Sequence, residues 1–127
     1  MALDKQLLVN YLSTLPEISA VYLFGSQVDG STHSNSDVDL AILFKRGLSA
    51  EFYADQQLFL GGKLCQILKR DDVDLVVLNR ASSSELKYSI VHDGEVLFER
   101  EPNLAEYELR VEHEYYDHLA ALKRNGF

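Results

Sequence analysis

Two periods of apolar residues run along this chain. From Asp4 to Leu15 they stand at 7, 8, 11, 12 and 15, one stripe of a helix that Pro16 ends. Ile18–Phe24 is β-branched and aromatic and reads as a strand. A short turn containing Val28 follows Gly25-Ser26, and Asp29 to Ser36 is a polar loop of turn formers. A second strand runs from Asp37 to Leu43 or Phe44. Ala50–Leu68 carries apolar residues at 52, 53, 58, 60, 64, 65, 67 and 68, a helix with a broad buried face. Gly61-Gly62 inside it is either a weak point or a place of close backbone packing. Val73–Leu78 is almost wholly apolar, which predicts a central strand.

Ser82-Ser-Ser-Glu85 has the spacing of a capping box, opening a helix that reaches about His92. Gly94 stops it, and Val96–Phe98 is a short fourth strand. Asn103, with Glu106 three residues on, caps a last helix over 103–123, striped by Leu104, Tyr107, Val111, Tyr115, His118 or Leu119, and Leu122. The order α-β-β-α-β-α-β-α predicts an α/β (α+β) fold, a small mixed sheet of about four strands flanked by helices. A length of 127 residues makes one domain, 1–127, the expectation.

Charge narrows the function. Twelve basic against 20 acidic residues leave a formal net charge of -8. That disfavours a protein that grips a nucleic-acid backbone through Lys and Arg. It permits a nucleotide escorted by a metal cation, or a basic protein partner. The single cysteine, Cys65, cannot form an internal disulfide and reads as a buried, inert thiol. The start of the chain lacks a signal-peptide core and no run approaches a membrane span, so a cytoplasmic protein is expected.

The candidate chemistry lies between the first two strands. Gly25-Ser26 is followed, after ten intervening residues, by the pair Asp37-x-Asp39. Backbone N–H groups in a turn after a strand favour phosphate oxygens. Asp37 and Asp39 share one face of a strand, and paired carboxylates favour hard divalent cations. Asp71-Asp72-Val73-Asp74 opens the third strand; if that strand neighbours the second, Asp74 completes a three-carboxylate cluster. No Lys or Arg stands beside the three in sequence. Such carboxylates raise one another's pKa, a tension that two Mg²⁺ ions would relieve. Asp72 reads as a solvated turn residue. None of the histidines, including His33, His113 and His118, pairs with Cys65 at zinc-ligand spacing. Tyr107, Tyr115 and Tyr116 read as core packing or as a partner-docking face.

Gly25-Ser26-x10-Asp37-x-Asp39 with Asp74 on the next strand resembles the signature of the DNA polymerase beta nucleotidyltransferase superfamily. The short chain with one C-terminal helix is similar to the minimal nucleotidyltransferase (MNT) proteins, many of them antitoxins paired with a HEPN-domain ribonuclease toxin. By position, the resemblance implies that Gly25 and Ser26 hold the nucleotide phosphates and that Asp37 and Asp39 bind two Mg²⁺ ions. It implies that Asp74 binds the catalytic metal and helps activate the attacking hydroxyl. It also implies an antitoxin that transfers AMP from ATP to a tyrosine of its toxin. The alternatives are an antitoxin that only masks its toxin, and a small-molecule nucleotidyltransferase subunit.

Overall fold

The computed structural model describes residues 3–25, 37–100 and 104–126. Eight elements follow in the order α1 (Lys5–Leu12), β1 (Ile18–Phe24), β2 (Val38–Phe44), α2 (Ala50–Leu68), β3 (Val73–Val77), α3 (Ser84–Asp93), β4 (Glu95–Glu99) and α4 (Leu104–Arg124). The four strands form one sheet in the order β3-β2-β1-β4. β1 is antiparallel to both β2 and β4, and β2 is parallel to β3, so the sheet is mixed. Parallel neighbours need a crossover, and α2 provides it.

β3 was expected at the centre and stands at an edge. Its apolar residues are explained by its faces instead. Val73, Leu75 and Val77 pack into the core under α1 and α2, while Val76 packs into the core under α3 and α4. An edge strand covered on both faces reads as apolar as a central one. Its ladder continues past the strand through Asn79, whose Oδ1 accepts from Phe44 N at 2.9 Å and whose Nδ2 donates to Phe44 O at 3.1 Å.

The sheet separates two cores. Val21, Leu23, Val38, Leu40 and Ile42 meet Leu8, Leu12, Leu60 and Leu64 from α1 and α2. On the other face Ala20, Tyr22, Ala41 and Leu43 meet Ile90 of α3, with Leu104 and Tyr107 of α4 against them. Tyr22 is fully buried, and its hydroxyl donates to Glu108 Oε2 at 2.6 Å, fastening α4 to the sheet. Among the described residues no helix is long and apolar enough to cross a membrane.

Several boundaries differ from expectation. α1 ends at Leu12 rather than Leu15; Ser13 caps it with helical φ and ψ, and turns lead on to β1. The cap of α3 is Ser83, one residue after the expected Ser82, and it accepts from Leu86 N. The third residue after Ser83 is thus Leu86, so Glu85 cannot close a box and turns to His118 Nε2 at 3.0 Å. Cys65 is free as expected, though half-buried. Asn103, the expected cap of α4, lies outside the described residues.

Arg100 closes the fold. Its guanidinium donates to the carbonyl oxygens of Ser13, Leu15, Pro16 and Ile18 at 2.6–3.1 Å, where the chain leaves α1 and enters β1. Removing it takes a donor from all four carbonyls at once, of which Leu15 O keeps its bond from Ile18 N. Arg100→Ala is expected to cost about 2–3 kcal/mol in urea unfolding, and Arg100→Lys nearly as much, because an ammonium cannot span four acceptors.

Candidate functional site

The site begins with strand register. β2 and β3 run in parallel with Asp39 opposite Asp74 and Ala41 opposite Val76. Ala41 and Val76 belong to the core under α3 and α4, so Asp39 and Asp74 emerge on that same face. Asp37, two residues before Asp39, precedes β2 and is exposed. The start of the pair is pinned by Val38 N donating to Asp72 O at 3.0 Å. Asp39 is half-buried and Asp74 is exposed at the sheet edge.

These carboxylates act on one another. Burial pushes the Asp39 pKa above its ordinary value, and the charges of Asp74 and then Asp37 push it further. Among the described residues no three acidic, His or Cys side chains are already drawn into a ready-made ligand set. The structure thus gathers the three expected aspartates into one electrostatic group without closing them around a point.

Gly25 sits against this group. β1 pairs Phe24 with Asp39, and Gly25 follows with φ +76°, in the left-handed region that favours glycine. A Cβ here would collide with the Asp39 carboxylate. Gly25 therefore allows the chain both to turn and to pass beside Asp39. Ser26 lies outside the described residues, as do Val28, the polar loop 29–36 and His33.

Sequence reasoning missed Arg70. Its Nε donates to Asp72 Oδ1 at 2.5 Å and its Nη2 to Asp72 Oδ2 at 2.8 Å. This pair holds Asp72 below the usual carboxylate range, so Asp72 is not the simply solvated turn residue expected. The Arg70 guanidinium is raised first by that hydrogen bond and also by the charge of Asp37. A cation therefore does stand near the cluster, one turn of chain before β3. The run Arg70-Asp-Asp-Val-Asp74 was the available signal.

A cavity of about 600 Å³ lies elsewhere, at the far end of β2, lined by Phe44, Lys45, Leu78, Tyr107 and Arg110. None of the three aspartates lines it. The Tyr107 hydroxyl is buried with no hydrogen-bond partner among the described residues. The carboxylate group, not this cavity, carries the candidate chemistry, because there the charges of Asp74 and Asp37 act directly on Asp39.

A nucleotidyltransferase is the class that this sheet and acidic group define. The family described as Polymerase beta, Nucleotidyltransferase matches residues 6–103, and the chain belongs to it. The chain is 31% identical over 100 residues to a protein adenylyltransferase, MntA, of Aphanizomenon flos-aquae. That match covers 75% of this chain and 66% of the relative, so the chain spans just under two thirds of that protein's length. A chain in a solved toxin–antitoxin structure with AMP-PNP superposes with a TM-score of 0.78 at 30% identity, covering 97% of this chain and 94% of that one. Another solved structure is a tri-AMPylated Shewanella oneidensis HEPN toxin in complex with its MNT antitoxin. Its matching chain gives a TM-score of 0.68 at 28% identity, covering 96% of this chain and 94% of that one.

Two predictions follow from this geometry. A carboxyl group with a raised folded pKa is easier to protonate when folded. Its stabilising contribution is complete below the ordinary value of 3.8 and is lost as pH rises through the folded pKa. Asp39→Asn should therefore raise the thermal unfolding midpoint at neutral pH, with the gap closing as pH falls to about 3. Mg²⁺ should raise the midpoint of the parent and move that of the variant less. Midpoints that differ equally at every pH would remove the charge argument.

Gly25→Ala forces a left-handed residue to carry a Cβ and pushes on Asp39. The expected loss is at least about 1 kcal/mol, with a weakened response to Mg²⁺. Urea unfolding with and without Mg²⁺ measures both.

Proposed function

We propose that this chain is a metal-dependent nucleotidyltransferase acting as an antitoxin. It transfers AMP from ATP to a tyrosine hydroxyl of a cognate HEPN ribonuclease toxin and so silences it. The observation that carries this reading is the placement of Asp39 opposite Asp74, with Asp37 close enough to raise the Asp39 pKa. Three like charges on one rigid face fit divalent cations. Asp37 and Asp39 would hold both Mg²⁺ ions, and Asp74 the catalytic one. The ions would neutralise phosphate charge and ease ionisation of the attacking hydroxyl.

The protein's own residues do the rest. Gly25 leaves room beside Asp39 for the chain to pass, and Gly25 and Ser26 would hold phosphate oxygens. Asp74, exposed on the edge strand, is the carboxylate best placed to take the tyrosine proton. A bond forms between the tyrosine oxygen and the α-phosphorus, the bond to the bridging oxygen breaks, and pyrophosphate leaves. The carboxylates would act by holding cations in fixed positions, and those cations would stabilise the negative charge of a phosphoryl-type transition state. The dependence on ATP fits a cytoplasmic reaction.

The partner reading has support on α4. Leu109, Tyr116 and Leu119 lie along one outer face and are 52%, 52% and 40% exposed. Glu112 and Asp117 stand among them and are exposed. Tyr116 belongs to an aromatic group in which Tyr88 and Tyr115 stack with centroids 4.0 Å apart. An apolar stripe between acidic residues suits a basic helical partner.

Incubation of the chain with its toxin, ATP and Mg²⁺, followed by mass spectrometry of the toxin, tests the proposal. Mass should rise in steps of one AMP on a tyrosine, and inhibition should persist after separation. Asp37→Asn with Asp39→Asn should cut the transfer rate by at least about 100-fold. A toxin that gains no mass yet is fully inhibited while bound would point to masking.

A further inference from the structure

The outward face of α2 has no partner within the chain. It carries Glu51, Asp55, Leu58, Phe59, Gly62 and Gln66, all exposed, with the exposed cap Lys69 just beyond the helix. Leu58 is 80% exposed and Phe59 60%, the most exposed large apolar side chains among the described residues. Gly61 and Gly62 follow after the buried Leu60. A Cβ on either would meet nothing within 4 Å, so no close packing inside the chain requires glycine there. Each glycine nevertheless weakens the helix relative to alanine. Two exposed apolar side chains thus stand beside a bare, open stretch of helix that a second backbone can approach closely.

The charges indicate what covers it. Glu51 and Asp55 are exposed toward its N-terminal end; the last turn of the helix holds no basic residue, and the exposed cation at that end is Lys69, the left-handed cap just past Leu68. Among the described residues none of these three has an ion-pair partner. Charges so placed also suit the helix's own dipole. The apolar pair and the glycines do not follow from that dipole, and they are what call for a second surface.

We infer that the α2 face is a two-fold homodimer interface, formed by antiparallel pairing of α2 with α2 of a second copy. Phe59 of each copy seats over Gly62 of the other. That register brings Glu51 within about one residue of Lys69 across the axis, so both ends pair opposite charges. A basic partner is better matched by the acidic α3–α4 side; the α2 face matches its own inverse. α2 covers the core that includes Val38 and Leu40, whereas Asp39 and Asp74 emerge on the other side of the sheet. Pairing through α2 leaves both carboxylate sites open, and the inference does not depend on the reaction proposed for them.

Sedimentation velocity on the full chain alone, over a concentration series, tests this. A reversible dimer is expected. Phe59→Glu should abolish it without lowering the unfolding midpoint. Gly62→Ala should raise the unfolding midpoint of the dilute monomer while weakening association, since the methyl blocks the close approach. Lys69→Glu should weaken association, and Lys69→Glu combined with Glu51→Lys should restore it, because the swap preserves complementarity in every copy. A chain that stays monomeric at the highest concentration, or a dimer indifferent to Phe59→Glu, overturns the inference. So does protection of Leu58 and Phe59 from hydrogen exchange only when a different protein is bound.

Discussion

The parallel pairing of β2 with β3 is the constraint on which the rest turns. α2 carries the chain back along the sheet so that both strands start at the same end, and a parallel register then sets Asp39 against Asp74. Had β3 joined as an antiparallel hairpin, its acidic start would lie at the far end of β2. Asp37 and Asp39 follow each other in sequence, so their meeting is local. Asp74 is a non-local gift of topology. The hydrogen bond from Val38 N to Asp72 O fixes the start of the pair.

This arrangement opposes folding locally. Asp39 is half-buried among like charges, and burial together with Asp74 and Asp37 raises its pKa. The strain is tolerated because the strands that bear it are buried elsewhere along their length. Leu40, Ala41 and Ile42 are fully inaccessible, and so are Val21, Tyr22 and Leu23 on the neighbouring strand. A rigid apolar sheet holds charges in a geometry that flexible loops would relax, which is how sites with perturbed carboxylates are commonly built. Gly25 is part of the same device, because a side chain there would push Asp39 away.

Much of this was legible in the chain. Element order and the mixed sheet followed from periodicity, which depends only on local geometry; Asp37 stands just before β2 rather than within the strand expected to carry it. The position of β3 did not follow from periodicity, because a strand covered on both faces by helices looks the same at an edge as at the centre. Ser83 displaced Ser82 as the α3 cap because three serines in a row offer the same hydroxyl, and the choice falls to packing of the helix they start. Arg70 was overlooked because nearness was judged along the sequence; the turn from α2 into β3, through a left-handed Lys69 with φ 56°, folds its guanidinium onto Asp72.

The two faces of the sheet carry different surfaces. On one, α2 presents an apolar centre between opposite charges, a pattern that is its own complement. On the other, α4 is held by the Tyr22–Glu108 bond at its first turns, while Leu109, Tyr116 and Leu119 remain open among acidic neighbours. The exposed Glu112 and Asp117 make this second side unsuited to meeting itself, since like would meet like. It suits a basic partner approaching the side of the sheet from which Asp39 and Asp74 project. The α2 face and the acidic α4 side lie on opposite faces of the sheet, so the self-association inferred for α2 would leave the carboxylates of Asp39 and Asp74 uncovered.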